Sequence, residues 1–424
     1  MLTATMPGQE EASSDSAWRP IDCVGMEPNA TPKSAMVSRA ETALLVAVVA
    51  AVGCLFYARY AHELRGTDFP DFYCAARMLI EGHGHELYNV DAQRAFQLRY
   101  AGRVGTLYIH PPFEVPLYLM VAWLPLRQAY LLWCLLNLGL LAWAAQRLAR
   151  FALPGWNWRV LLSVWLAFVP VLLSLLQGQD SIVLLLLLVL GFGGLRSRRD
   201  LAAGCWLGLG LFKFQIVLPM AVILALQRCR GSFVRGFVLT GLALAGVSAA
   251  ISGWGVFAAY PRFLLHLEEQ SFAGVVPVSM ANFRGLAALL LQGAGGAIAV
   301  AILSIAAMVL ARMAWKRAEG QSGESGIDLA YGNTVIVALL VSYHLNPHDL
   351  SLFLLPLSVL AYRWHATRGD GGRWLIGGML AILFLPPVHL WALRTREYAV
   401  VGVLVIALLV INTWLVWGPA EHSS

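Results

Sequence analysis

LAAGCWLGLGLFKFQIVLPMAVILAL, residues 201–226, runs for 26 residues with a single charged side chain, Lys213. A hydrocarbon core about 30 Å thick is crossed by about 20 apolar residues in a helix. The stretch is therefore built for lipid, and the composition around it is the same. Of 424 residues 59% are hydrophobic and 13% charged, against roughly 25% charged in a soluble domain. A water-soluble globule is excluded.

Working outward, apolar segments fall at 41–60, 113–126, 130–148, 160–176, 181–195, 234–254, 286–313, 329–344, 350–362, 374–393 and 400–417. They predict an all-α polytopic membrane protein of about ten to twelve transmembrane helices within one domain, residues 41–418. Several segments are short enough to dip into the membrane without crossing it. Residues 61–110 form the one long polar connection, an amphipathic loop in which Pro70 to Ile80 and Asp91 to Tyr100 read as short helices. Residues 1–40, with Pro7, Pro20, Pro28 and Pro32 and no basic start followed by an apolar core, read as a disordered tail, and 419–424 as a short C-terminal one.

The net charge of +6 is spread over short loops, densest at 196–199, 228–235, 312–317 and 363–373. This pattern marks cytoplasmic loops rather than a nucleic-acid surface. With 196–199 and 228–235 on one side, Lys213 is expected at the tip of two half-length helices, on the outer side with 178–180 and 346–349. Segments 113–126 and 130–148 then occupy a place where the count needs one crossing. Six scattered cysteines, Cys23, Cys54, Cys74, Cys134, Cys205 and Cys229, show no CxxC spacing. Neither a disulfide framework nor a metal site is indicated, and no cofactor is expected.

In a chain so poor in charge, polar groups at the membrane edge are the candidates for chemistry. TDFPDFY places Asp68 and Asp71 after the first helix, where a carboxylate against an apolar surface can serve as general base or simply begin a helix. YIHPPFE offers His110 beside Glu114, and LLQGQDS clusters Gln177, Gln179 and Asp180. Lys213 calls for an anion, either a lipid phosphate or an Asp from another helix. In SYHLNPHD, Pro347 between His344 and His348 disfavours the helical HxxxH zinc geometry and leaves imidazoles and Asn346 for a phosphate or hydroxyl. Arg284 either meets phosphate or anchors its helix.

In this order, DFPDFYCAARMLIEGHGHELY, YIHPPFEVPLYL, GQDSIVLLLL, AGCWLGLGLFKFQIVLP and HLNPHDLSLFLLPL resemble the polyprenol-phosphate-mannose-dependent mannosyltransferases of glycosyltransferase family 87, a branch of the GT-C superfamily. The resemblance implies a GT-C bundle around an outward-facing cavity in a plasma or inner membrane. It implies transfer of a hexose, mannose in that family, with inversion from a polyprenyl-phosphate donor to a lipid or glycan acceptor. Asp68 matches the family's acidic residue, the general base. Asp71, Tyr73, Arg77, His110, Gln179, Lys213, Arg284, His344, Asn346 and His348 are the substrate-binding candidates. A transporter or lipid flippase using the same polar cavity is the alternative, and a third reading makes these groups helix-packing glue.

Overall fold

Proline decides where the apolar runs of this protein break. A computed structural model describes residues 66–227, 231–269, 276–291, 293–320, 324–366 and 370–417, with Leu64 and parts of 40–53. The expected N-terminal and C-terminal tails and the outer part of the first apolar segment lie outside the described residues.

Among the described residues the secondary structure is helical throughout. A helix over residues 40–48 (α1) precedes the polar connection. There α2 (Phe69–Ile80) starts with Pro70 in its first turn, and α3 (Val90–Ala101) is capped by the Asn89 side chain at the amides of Asp91 and Ala92. Both expected short helices are present, each within a residue or so of its predicted ends.

The segment 113–126 forms only the five-residue helix α4 (Val115–Leu119), while α5 (Leu126–Ala152) runs for 27 residues. At about 1.5 Å per residue, α4 spans about 7 Å and cannot cross a bilayer. The surplus crossing in the sequence count therefore disappears at α4.

The next apolar run divides into α6 (Trp158–Leu166) and α7 (Val169–Gln177), bent by 73° ahead of Pro170. Later, α17 (Asp370–Phe384) and α18 (Pro386–Thr395) meet at 56° before Pro386 and Pro387. Proline supplies no N–H to the preceding turn and its ring displaces the carbonyl there, which accounts for both bends.

Between the bent pairs lie α8 (Ser181–Arg196), α9 (Asp200–Leu209), a 3-10 turn over Gly210–Lys213, α10 (Phe214–Ala225) and α11 (Gly231–Ser252). Then come α12 (Gly255–Glu269), α13 (Phe283–Leu290), α14 (Ala294–Glu319) and α15 (Glu324–Val341). A 3-10 stretch over Pro347–Phe353 leads into α16 (Leu354–Ala366), and α19 (Ala399–Trp417) closes the bundle.

By length and composition, five helical runs among the described residues can cross a membrane, or seven if each bent pair counts as one. This is fewer than the ten to twelve expected, because several predicted segments are short or broken. The chain is an integral membrane protein.

One of the five, 200–225, meets that test only as a whole run: its halves, Asp200–Leu209 and Phe214–Ala225, part at Lys213 and neither is long enough to cross alone. A Cβ on Gly204 would lie 2.0 Å from the Phe233 carbonyl oxygen, one on Gly236 2.2 Å from that of Leu201, and one on Gly208 2.9 Å from Thr240 Cβ. These contacts make α9 and α11 parallel neighbours whose backbones meet at glycine. Were 204–227 a straight helix, its ends would be about 34 Å apart. The six residues from Gln227 to Phe233 reach at most about 21 Å. The chain therefore turns at Lys213 and α10 returns packed mainly against α15, as the charge pattern on its two flanks predicted.

Lys213 thus sits at one end of the α8, α9 and α10 cluster. At the other end Asp328 is gripped by Arg196, 2.5 Å away, and by Arg363 at 3.2 Å. Arg312, bonded to Gln227, belongs to this arginine-rich end as well.

Candidate active site

Asp68 stands at the N-cap of α2, yet its side chain makes no capping bond to that helix. Its Oδ2 instead accepts a 2.6 Å hydrogen bond from Gln179 Nε2, across 111 residues of sequence. Gly178 makes this meeting possible. Its φ of +71° is the left-handed conformation open to glycine, and a Cβ there would lie 2.6 Å from Phe69 Cβ. The Gly178 carbonyl in turn accepts from Trp133 Nε1 at 2.9 Å and from the Tyr118 hydroxyl at 3.3 Å. The GQD turn is therefore clamped against the first residue of α2.

Above it, the stretch 105–110 is laid across α2. Gln93 donates to the carbonyls of Leu87 and Tyr108 and accepts from the Tyr108 amide, and Tyr88 donates to the His110 carbonyl. Gln97 donates to Asp71 Oδ1 at 3.1 Å and to the Thr106 carbonyl at 2.6 Å, while Thr106 donates to Asp71 Oδ2. The His110 ring packs on Phe72 at 4.8 Å, and Phe72 stacks on Tyr118 at 4.6 Å.

These elements enclose a cavity of about 220 Å³. Asp68, Asp71, His110, Gln177, Gln179, His344, Asn346 and His348 all belong to its lining. Seven of the eleven sequence candidates thus converge on one space: Asp68, Asp71, His110, Gln179, His344, Asn346 and His348. His348 Nδ1 lies 2.9 Å from Gln177 Oε1, which fixes one ring nitrogen and leaves Nε2 3.6 Å from Asp349.

The other four candidates stand outside this lining. Tyr73 donates to the Leu124 carbonyl. Arg77 is taken up by Glu81, Tyr100 and the Ala122 carbonyl. Arg284 bonds the Tyr343 carbonyl and lies 3.9 Å over the Tyr343 ring, the anchoring role. Lys213 is 3% exposed, and its Nζ is 2.9 Å from both Asp180 and Asp349.

Asp349 also accepts from Ser181 Oγ at 2.8 Å and from the Asn346 amide at 2.9 Å. With three donors it is the ionised partner of Lys213. Asp180 lies against Glu114, and a carboxyl pair that close carries one proton between them. Glu114 in turn meets His110 Nδ1 at 2.8 Å. A buried polar chain thus runs from the cavity wall at His110 through Glu114, Asp180 and Lys213 to Asp349 and His348. Asp180 and Asp349, which complete it, stand in the GQD and NPHD motifs but not among the substrate-binding candidates. The signal that assigns them to Lys213 is the need of a buried lysine for an acid.

Electrostatics separate the groups around the cavity. Burial raises the pKa of Asp68, opposed by the Gln179 hydrogen bond and by His110 and Lys213. Burial also lifts Asp71 to about 8, with Thr106 opposing and the charge of Asp68 adding to the rise. Near neutrality Asp71 therefore holds its proton. Desolvation lowers His110 and His344 to about 4, so both imidazoles are neutral. The cavity thus brings the Asp68 carboxyl together with neutral imidazole and amide groups.

The model of glycosyltransferase family 87 matches residues 108–343. The match takes in His110, Gln179, Lys213 and Arg284, while Asp68 lies before it and His344 to His348 just after. No curated protein and no solved structure matches the chain.

Proposed function

The chain belongs to glycosyltransferase family 87 and is a membrane glycosyltransferase with a sugar donor and an acceptor, and on that premise we propose that it transfers a hexose from a polyprenyl-phosphate donor, with Asp68 as the general base. The observation that carries this reading is the Asp68 carboxylate, held by Gln179 at the wall of a cavity lined also by His344, Asn346 and His348. A donor's sugar and phosphate are placed against those nitrogen groups. The acceptor oxygen attacks the anomeric carbon from the face opposite the phosphate, which inverts that carbon. As the new C–O bond forms, the acceptor proton passes to Asp68, and the bond to the phosphate oxygen breaks with its electron pair leaving on the phosphate.

Lys213 has a different part in this scheme from direct contact with phosphate. Its ammonium is spent on Asp180 and Asp349, so it acts by holding the GQD turn and the 346–349 stretch together. The phosphate's charge is met by hydrogen bonds from the Asn346 side-chain amide and the His344 imidazole N–H, while His348 gives its Nδ1–H to Gln177 and keeps Nε2 as an acceptor. Mannose is the proposed sugar on the strength of the family resemblance. The arginine-rich end around Asp328 is placed in the cytoplasm, which sets the cavity on the outer side. The transporter reading has no support from the family.

The experiment incubates purified protein in nanodiscs with radiolabelled polyprenyl-phosphate-mannose and a crude lipid and glycan extract. Label appearing in new products, and absent with Asp68→Asn, is the expected result. Undiminished transfer by that variant would remove Asp68 from the mechanism. Transfer from other polyprenyl-phosphate sugars but not the mannosyl donor would replace mannose and keep the enzyme class.

A further inference from the structure

The His110 imidazole is held with one nitrogen sealed and the other free. Gln93 pins both backbone groups of Tyr108, and Tyr88 bonds the His110 carbonyl, so the residue enters Pro111 and Pro112 from a set position. Its ring lies 4.8 Å from that of Phe72 and 5.6 Å from that of Tyr108. Nδ1 stands 2.8 Å from Oε2 of Glu114, whose side chain is fully buried, while the imidazole keeps 25% of its surface. With Nδ1 turned to Glu114, that surface belongs to the Nε2 edge, on the cavity that His110 lines.

One proton serves the contact between Glu114 and Asp180, and Lys213 Nζ, 2.9 Å from Asp180, keeps the Asp180 end anionic. That proton is spent and cannot also fill the gap between Glu114 and His110. Two lone pairs 2.8 Å apart repel unless a hydrogen stands between them. The neutral imidazole has a single hydrogen, so that hydrogen is on Nδ1 and Nε2 is a bare acceptor.

We propose that Glu114 is a positioning residue that holds His110 as a hydrogen-bond acceptor, and that His110 Nε2 reads a hydroxyl of the transferred hexose. This rests on the hexose occupying the cavity as proposed above. A bare nitrogen repels a phosphate oxygen and accepts from a hydroxyl, so this part of the wall takes sugar rather than phosphate. Glu114 acts only through the ring, since its carboxyl is closed off from the cavity behind His110.

The tautomer is read directly by NMR of protein carrying 15N-labelled histidine, with the His110 signals identified by their loss in His110→Asn. Nδ1–H is expected in the wild type and in Glu114→Gln, whose amide carbonyl accepts from the ring while its N–H meets Asp180. Nε2–H in either protein overturns the proposal. Recognition is measured as kcat/KM with polyprenyl-phosphate-mannose and its monodeoxy analogues. A site that pairs with a hydroxyl rejects the analogue lacking it, and the wild type should lose about tenfold or more with at least one of them. His110→Asn puts an amide N–H near the place of Nδ1 and no atom at Nε2, so it should use that analogue and the parent about equally well. Glu114→Leu should follow His110→Asn, and Glu114→Gln should keep the discrimination whatever its rate. Discrimination undiminished in His110→Asn, or absent from the wild type, removes the hydroxyl contact. No transfer at all by folded His110→Asn would make the ring a reacting group and equally overturns the proposal. Wild-type discrimination in Glu114→Leu removes the positioning role; if that variant does not fold, the tautomers of the wild type and Glu114→Gln decide it. Absence of wild-type transfer from every polyprenyl-phosphate sugar would instead bring down the proposed function, with the tautomer still readable.

Discussion

Gln179 donates to Asp68 from a turn whose glycine leaves no room for a side chain against Phe69. The bond stabilises the charged carboxylate and so opposes the upward pull of burial on its pKa. A base acts only when deprotonated, so activity rises with pH through the pKa of Asp68. Replacing Gln179 by Leu removes the opposing bond. The acidic limb of the rate profile should move to higher pH by about one pH unit, the worth of a hydrogen bond to a charged group. A profile measured from pH 4 to pH 9 tests this, and a limb unmoved in Gln179→Leu would detach the amide from the base.

Gly178 is predicted to be intolerant of even the smallest side chain. Gly178→Ala combines a φ of +71° with a 2.6 Å encounter with Phe69 Cβ. The combined cost is about 2–4 kcal/mol. Thermal unfolding in detergent should show a clear fall in midpoint together with loss of activity. Gly139→Ala, in α5 at a position without positive φ and with open space around the added Cβ, is the comparison that should remain near wild type.

Lys213 is expected to matter for folding as much as for turnover. Lys213→Met leaves Asp180 and Asp349 buried without their cation, and breaking a buried pair in this way costs about 3–5 kcal/mol. The double variant Lys213→Met with Asp349→Asn should recover part of that stability while remaining impaired in transfer. If Lys213→Met instead kept its unfolding midpoint and lost only donor affinity, direct phosphate binding by Lys213 would be the better account.

Much of this was legible in the sequence, and the failures have physical reasons. The helices near Phe69–Ile80 and Val90–Ala101, the reversal at Lys213 and the cluster of Asp68, His110, Gln179, His344 and His348 follow from local signals: prolines, caps, and polar residues stranded in apolar runs. The number of crossings did not follow. Hydropathy registers that 113–126 is apolar but not that α4 ends after five residues, nor that prolines bend α6 from α7 and α17 from α18. Lys213 was recognisable as needing an acid, yet its two partners come from different segments, and only packing decides that they claim the ammonium. Tyr73 and Arg77 share the helix of Asp71 but sit on its other faces, so proximity in sequence overstated their reach.

Asp71 supplies a prediction about stability rather than rate. Its pKa stands at about 8 in the fold, against the usual 3.8. A carboxyl whose folded pKa is raised favours the folded state fully only below its unfolded value, and that favour is lost as pH climbs through the folded one. The unfolding midpoint of the wild type should therefore decline between about pH 4 and pH 8. Asp71→Asn retains a carbonyl that can accept from Thr106 or Gln97 but carries no proton to lose. It should flatten the decline, so that the variant gains on the wild type towards pH 8. Midpoints taken in detergent at pH 5, 6.5 and 8 decide the matter. Parallel curves for the two proteins would mean that Asp71 is already ionised in the fold.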